Sequence, residues 1–442
     1  MSEKARLTRG SVAGHLLHQT TPMIVGVAAI MSIGLVDAYF IGQLGAGQLA
    51  AMSFVFPVTT ALGSVGVGVM VGTSSVVARA IGAGDEERAS RCAALGVALG
   101  LATGLAVAVA LLLGQDALFA AMGARGAVAG HVANYMLPYA LGFPLLLTIS
   151  GLNGVLRAQG AAKSSTVVSL VFAGANLVLT PLLVPLLGVP GAALATIAGW
   201  LMGAGTGLWL VRRGEVPLRL ALLRRGNLRE PLRQVLRVAL PAAFTNSINP
   251  VGLALLTGCL ASEGAAAVAG FGVGGRLQLA AVVPLLGLSG SIGAIVGQNW
   301  GAGQHDRARQ ALWQAGLFCL GYGLLAGLVL YALRGWLAGA FSEDAATIAA
   351  AREYLSIGVW GYAMFGLFIV ANGAMNAVDR AGTAMALSIT RSLLVMVPFA
   401  ILTQPLWDAK GVYFAELVAN IAGGSAAVLV AWLALKGPPA RR

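Results

Sequence analysis

Charge is scarce in this sequence. Asp, Glu, Lys and Arg make up 10% of its 442 residues, against 58% hydrophobic residues and a mean hydropathy of +0.84. A soluble chain of this length needs far more charge to cover its surface, so a water-soluble globular fold is excluded. Cysteine is scarcer still. Cys92, Cys259 and Cys319 lie in or at the ends of apolar runs without a CxxC pair, so they read as small hydrophobes and not as disulfide or metal ligands. The histidines, His15, His18, His131 and His305, are too scattered for a metal cluster, and no metal site is expected. No GxxxxGK[ST] phosphate loop is present, because Gly82-Ala83-Gly84 lacks the Lys. Those glycines read as a tight turn, and ATP drive from this chain is not expected. No cleavable leader is evident over Met1–Leu17.

What is abundant is apolar sequence in lengths that cross a bilayer, where about 20 residues suffice per span. Spans are predicted at 18–42, 51–78, 92–114, 131–154, 164–186, 190–211, 236–258, 268–297, 310–333, 347–371, 383–404 and 410–434. The fold class is therefore an all-α membrane protein of about twelve transmembrane helices. The formal charge of +12 could suggest nucleic acid, but its placement argues against that partner. Of 28 Lys and Arg, only Arg125, Arg334, Arg352 and Lys410 fall on one side and Arg276 within a span. The rest share the side of the termini and even-numbered loops, including Arg212, Arg213, Arg219, Arg224, Arg225, Arg229, Arg233 and Arg237 of the central linker. That bias places both termini in the cytoplasm and makes anionic lipid headgroups the partner of the basic excess.

The sequence also repeats itself. Gly82-Ala83-Gly84-Asp85-Glu86-Glu87-Arg88-Ala89 matches Gly301-Ala302-Gly303-Gln304-His305-Asp306-Arg307-Ala308 at an offset of 219. The same offset pairs Pro22 with Pro241, Gly45 with Gly264, Gly68 with Gly287, and Asn153-Gly154 with Asn372-Gly373. Each copy holds six spans, an even number, so both insert the same way. Two six-helix lobes, 1–220 and 221–442, are expected, related by a pseudo-twofold axis along the membrane normal. The basic linker, about 212–235, contains an apolar-basic stretch from Leu218 to Leu236 that suits either an interfacial helix or a plain tether. Parallel lobes around a cleft are the hardware of alternating access, which points to a secondary transporter.

A charge deep in a bilayer costs a few kcal/mol or more, so each one in a span calls for a functional reading. Asp37 in span 1, Arg276 in span 8 and Glu416 in span 12 qualify. Asp379 and Arg391 are expected near the cytoplasmic ends of spans 10 and 11, and Arg157 and Lys163 read as topological. Asp37 has no basic residue within fifteen positions, and the matched residue in the second copy is Leu256. It is either a helix-end carboxylate in the headgroup zone or a buried acid that binds and releases a proton or holds a cation. Glu416 is the expected partner of Arg276, as a structural or a functional ion pair. Pro22 and Pro241 open spans 1 and 7, either in the first helical turn or as kinks.

The GAG-x4-RA motif after spans 2 and 8, the run from Val36 to Gly45, and Val296-Gly297-Gln298-Asn299-Trp300-Gly301-Ala302-Gly303 resemble the multidrug and toxin extrusion (MATE) transporters. The resemblance covers essentially the whole chain, and the surroundings of Asp37 are most like the DNA-damage-inducible-type branch. It implies an inner-membrane secondary antiporter, not an enzyme, that exports organic cations or amphipathic toxins. Its first-lobe coupling site would use Asp37, Asn176, Thr180 and Thr196, with Pro22, Tyr139, Arg276 and Glu416 in the substrate cavity or gating. The branch expects a second acid where Thr180 stands, so one carboxylate remains. Proton coupling at Asp37 needs fewer assumptions than a sodium ion at Asp37 and Asn176. No cofactor is implied, and the chain is expected to act as a monomer on small molecules. The rivals are a lipid-linked precursor flippase, which would need a strongly cationic cavity, and a membrane-embedded enzyme, which would need clustered His, Asp or Cys.

Overall fold

A computed structural model of the chain describes residues 5–224 and 228–436. Among them every regular element is helical, and twelve helices are long and apolar enough to cross a membrane. They are α1 (Val12–Leu44), α2 (Ala46–Gly82), α3 (Glu86–Ala121), α4 (Gly126–Ala158), α5 (Ala162–Leu187) and α6 (Val189–Arg212). Then come α7 (Arg229–Glu263), α8 (Ala265–Gly301), α9 (His305–Phe341), α10 (Ala345–Ala377), α11 (Ala381–Trp407) and α12 (Ala409–Ala434). Hydrocarbon offers the backbone no partners, so each apolar run closes its own hydrogen bonds as a helix.

Local chemistry sets the ends. Asp85 caps α3 by accepting from the Arg88 amide at 2.9 Å, and Asp344 caps α10 from Thr347 at 2.8 Å. Gly84 and Gly303 take φ of 75° and 73° in the two GAG turns, a region where a side chain is strained. Among its described residues the linker forms one 3-10 turn, Leu220–Arg224, before α7 begins at Arg229, and Leu218 and Arg219 are not helical, so the described part of Leu218 to Leu236 is not a single interfacial helix. Arg225 lies outside the described residues. Pro22 and Pro241 do not open their helices; α1 and α7 start ten and twelve residues earlier. Each proline therefore removes a donor in mid-helix and leaves a carbonyl one turn back without its usual partner.

The second copy carries one insertion. α11 contains a π-helical stretch, Thr390–Met396, that the first copy lacks. Beyond it the matching turns are Gly188 (φ 69°, ψ −144°) and Asp408 (φ 51°, ψ −141°), 220 residues apart and not 219. A π-bulge is the signature of one residue added to an α-helix.

Helices α1–α6 pack mainly on one another, as do α7–α12, and α1 and α2 meet α7 and α8 between them. The contacts between the two groups lie toward the end that carries both termini and the basic residues, here the basic end. Gly82 of α2 abuts the Gln298 carbonyl of α8, and Gly301 abuts the Arg79 carbonyl, so a Cβ at either would overlap the facing backbone. Gly68 and Gly72 leave the same lack of room against Ala239 of α7. Ser75 Oγ donates to the Asn376 carbonyl at 2.7 Å, Arg79 to that of Ala377 at 2.9 Å, and Asp379 holds Arg237 at 3.3 Å. A short strap closes the same end from below. Leu7 is buried against Gly160, its amide donates to Gln298 Oε1 at 3.2 Å, and its carbonyl accepts from Asn299 at 3.1 Å.

Toward the opposite end the groups part. The stripe of α8 that touches the first lobe at Gly287 continues, three turns outward, to Arg276, which is exposed. Gly34 and Gly63 of the first group and Gly272 and Gly275 of the second have nothing within 4 Å of where a side chain would stand. The named contacts between the groups thus gather at the basic end, an arrangement that suits a cleft opening at the other.

Candidate functional site

In the first lobe α1 brings Asp37 against α5. Thr180 Oγ1 donates to Asp37 Oδ1 at 3.1 Å, and the Asn176 amide serves both the same carboxylate and Thr196 Oγ1, the latter at 3.0 Å. Spacing explains the pairing, since Asn176 and Thr180 stand one turn apart on one face of α5. All four residues are buried, and no salt bridge reaches Asp37 among the described residues. Asp37 is thus enclosed by protein and not a solvent-exposed helix-end carboxylate. Asn176 Oδ1 is a buried acceptor with no donor. The cluster thus holds one carboxylate, two hydroxyls and an amide oxygen without a donor.

Aromatic rings of α4 and α6 form the wall. Tyr139 stacks on Tyr135 with ring centres 5.9 Å apart and meets Trp200 edge-on at 5.1 Å. Tyr135, which the sequence reading passed over, lies against Thr196 and Asp37. Its place one turn before Tyr139 was the available signal. Pro22 is fifteen residues from Asp37, near the lobe junction where Thr20 meets Ser291 at 2.7 Å.

The second lobe holds a separate polar cluster. Glu416 does not pair with Arg276. Its Oε1 accepts from Gln278 at 2.6 Å and its Oε2 from the Tyr354 hydroxyl at 2.9 Å, while Arg276 stands exposed on another face of α8. The expected ion pair fails because residues two apart on a helix point in nearly opposite directions. Arg391 is not at the end of its span either. It sits ten residues inside α11, in the π-helical stretch, and is buried. Its guanidinium donates to Asn420 at 2.6 Å and to Asn249 of α7, and lies over Phe365 and Phe368 at 5.1 and 5.0 Å. Amide oxygens and ring faces replace some of the water that a buried guanidinium gives up, each ring contributing about 0.5–2 kcal/mol. Asp379 does stand at the end of α10, as expected, and Arg157 in the last turn of α4 faces Gly290 across the lobe junction.

The MatE family model matches residues 22–182 and, a second time, residues 241–402. The chain belongs to the MATE family. It is a multi-pass membrane transporter, not an enzyme. This MATE transporter is 32% identical to a protein named FAD transporter from Shewanella oneidensis, over 98% of this chain and 97% of that one. It is 24% identical to the multidrug export protein MepA of Staphylococcus aureus, over 95% of this chain and 93% of that one. A crystal structure of a variant of the Vibrio cholerae MATE transporter VcmN is similar at a TM-score of 0.92 and 28% identity, covering 98% of each chain.

Proposed function

We propose that this MATE transporter is a secondary antiporter that exports amphipathic small molecules in exchange for protons bound at Asp37. The observation that carries the proposal is the combination of one buried carboxylate without a cation and one buried acceptor, Asn176 Oδ1, without a donor. Protonation of Asp37 removes the buried charge, and a half-turn of the Asn176 amide would then bring Oδ1 round to accept from the new O–H. A sodium ion would instead need several oxygens turned toward it, and all four groups here already bond one another, Thr180 with Asp37 and Asn176 with Thr196. With the basic end in the cytoplasm of the inner membrane, the cleft is open outward, and rocking of the lobes 1–220 and 221–442 would alternate access. Protonation from outside loosens the Asp37–Thr180 link, lets α1 rearrange toward Pro22, and releases cargo.

On cargo, exposed Arg276 on the cleft wall weighs against a bare organic cation and for an amphipathic molecule with an anionic group. A flavin dinucleotide, the cargo named for the Shewanella oneidensis relative, has that chemistry. Proteoliposomes loaded with FAD or with a fluorescent amphipathic cation, under a proton or a sodium gradient alone, test both readings. Proton-driven export that disappears in Asp37→Asn is expected. Export driven by sodium alone would overturn the coupling, and full activity in Asp37→Asn would remove Asp37 from it. Export of the organic cation but not FAD would return the cargo to the cationic class.

A further inference from the structure

Asp37 lies seven residues before the end of α1 at Leu44, and Glu416 lies seven residues after α12 begins at Ala409. At 1.5 Å per residue both acids sit about 10 Å inside the end at which the cleft is open. The coupling scheme above uses only the first.

The two copies of the repeat place these acids in corresponding positions of their separate lobes. The offset of 219 matches Tyr135 of α4 to Tyr354 of α10, and Asp37 to Leu256. Past the π-helical stretch the offset is 220, and it matches Thr196 of α6 to Glu416 of α12. Tyr135 stands against Thr196 in the first lobe, and Tyr354 bonds Glu416 in the second. The same tyrosine–helix junction therefore recurs, with the carboxylate carried by the last helix of the second lobe instead of the first helix of the first lobe. Leu256 fills the vacated side, within the apolar cluster that includes Tyr354, Tyr413 and Met396.

The bonding around Glu416 has a built-in alternative arrangement. Each carboxylate oxygen already carries one donor, and Oε2 keeps a lone pair that can take a proton. Tyr354 Oη lies 2.9 Å from Glu416 Oε2 and 3.3 Å from Gln278 Oε1, with a single hydrogen to share between them. When Oε2 takes a proton, it becomes the donor to Tyr354 Oη, and the tyrosine hydrogen turns to Gln278 Oε1. No heavy atom has to move. The other groups facing the site are Tyr362 of α10, whose buried hydroxyl has no partner and lies beside Tyr354, and Tyr413 and Asn420 of α12 itself. Among the described residues the cation that acts on Glu416 is Arg391 of α11. It is bonded to Asn249 and Asn420 and forms no salt bridge with Glu416 within 4.0 Å.

We propose that Glu416 is a second proton-carrying carboxylate, switched through Tyr354 and Gln278, so that each lobe exchanges one proton per transported molecule. Its role in transport rests on the proton-coupling reading of Asp37; its protonation does not. Infrared difference spectra of the purified transporter in lipid, between acid and alkaline pH, read each protonated carboxyl directly. Two buried carboxyl bands are expected, one absent from Asp37→Asn and the other from Glu416→Gln. Tyr354→Phe, which keeps the carboxyl but removes the switching hydroxyl, should shift only the second band. In proteoliposomes Glu416→Gln should move one proton fewer per molecule of cargo. A wild-type spectrum with a single band that Asp37→Asn removes, or a Glu416→Gln spectrum identical to wild type, overturns the proposal and leaves Glu416 as a fixed counter-charge for Arg391. Full transport by Asp37→Asn would defeat the first-lobe coupling instead, whatever the Glu416 band does.

Discussion

The two lobes solve the same packing problem with opposite electrostatics. In the first, a carboxylate is held by a hydroxyl and an amide, Thr180 and Asn176, with no cation near enough to pair. In the second, Glu416 shares its lobe with Arg391, which is wrapped by two asparagines and two phenylalanines. Removing a proton from Asp37 leaves a lone buried charge, whereas removing one from Glu416 leaves an acid and a base in the same apolar body. An isolated buried charge is the costlier state, so the first lobe has the stronger reason to change shape with its protonation. The second is better suited to hold its shape.

Asp37→Asn should break this comparison most severely. It abolishes gradient-driven export while the protein still folds, because the amide has the same shape and its oxygen still accepts from Thr180; a flux assay beside a melting curve separates the two. Next is Gly82→Val, which pushes a branched side chain onto the Gln298 carbonyl. Overpacking of this kind costs about 1–3 kcal/mol, roughly a tenfold shift or more against closure of the basic end. Spin-label distances between the ends of α2 and α8 should lengthen. Arg391→Met should leave flux through the first lobe coupled but lower the melting temperature. It strips the donor from Asn249 and Asn420, and each buried unsatisfied group costs about 1–3 kcal/mol. The smallest effect belongs to Asp379→Asn. Its contacts to Arg237 and Arg79, at 3.3 and 4.0 Å, are partly exposed and worth about 1 kcal/mol or less. Labelling of a cysteine placed under Leu7 should rise only a few-fold.

The parts legible in the sequence were those governed by the bilayer as a solvent. Spans, parity and the basic end follow from length and charge, and the GAG turns from the strained glycine positions Gly84 and Gly303. Helix starts came out late because helices continue past the hydrocarbon: α7 begins at Arg229, among charges that no hydropathy window counts. The first-lobe set, Asp37, Asn176, Thr180 and Thr196, was legible through helical spacing and the family pattern. Arg391 was not, because its partners come from α7, α10 and α12, and nothing near it in the chain announces them. Glu416 was given the wrong neighbour for a related reason. A helix's facing depends on every residue before it, so composition near Arg276 could not tell its face from that of Gln278. The one-residue π-helical insertion hid the match between Thr196 and Glu416 from any search that used a single constant offset.

The strap at Leu7 carries a practical consequence. Leu7, five residues ahead of the first span, touches both halves of the transporter, where α4 ends and where α8 ends. A bulky reporter attached close to it is therefore expected to act as a lever on the closed basic end. Anyone following this protein by fluorescence or pulling it down by a tag would do better to leave the amino terminus alone.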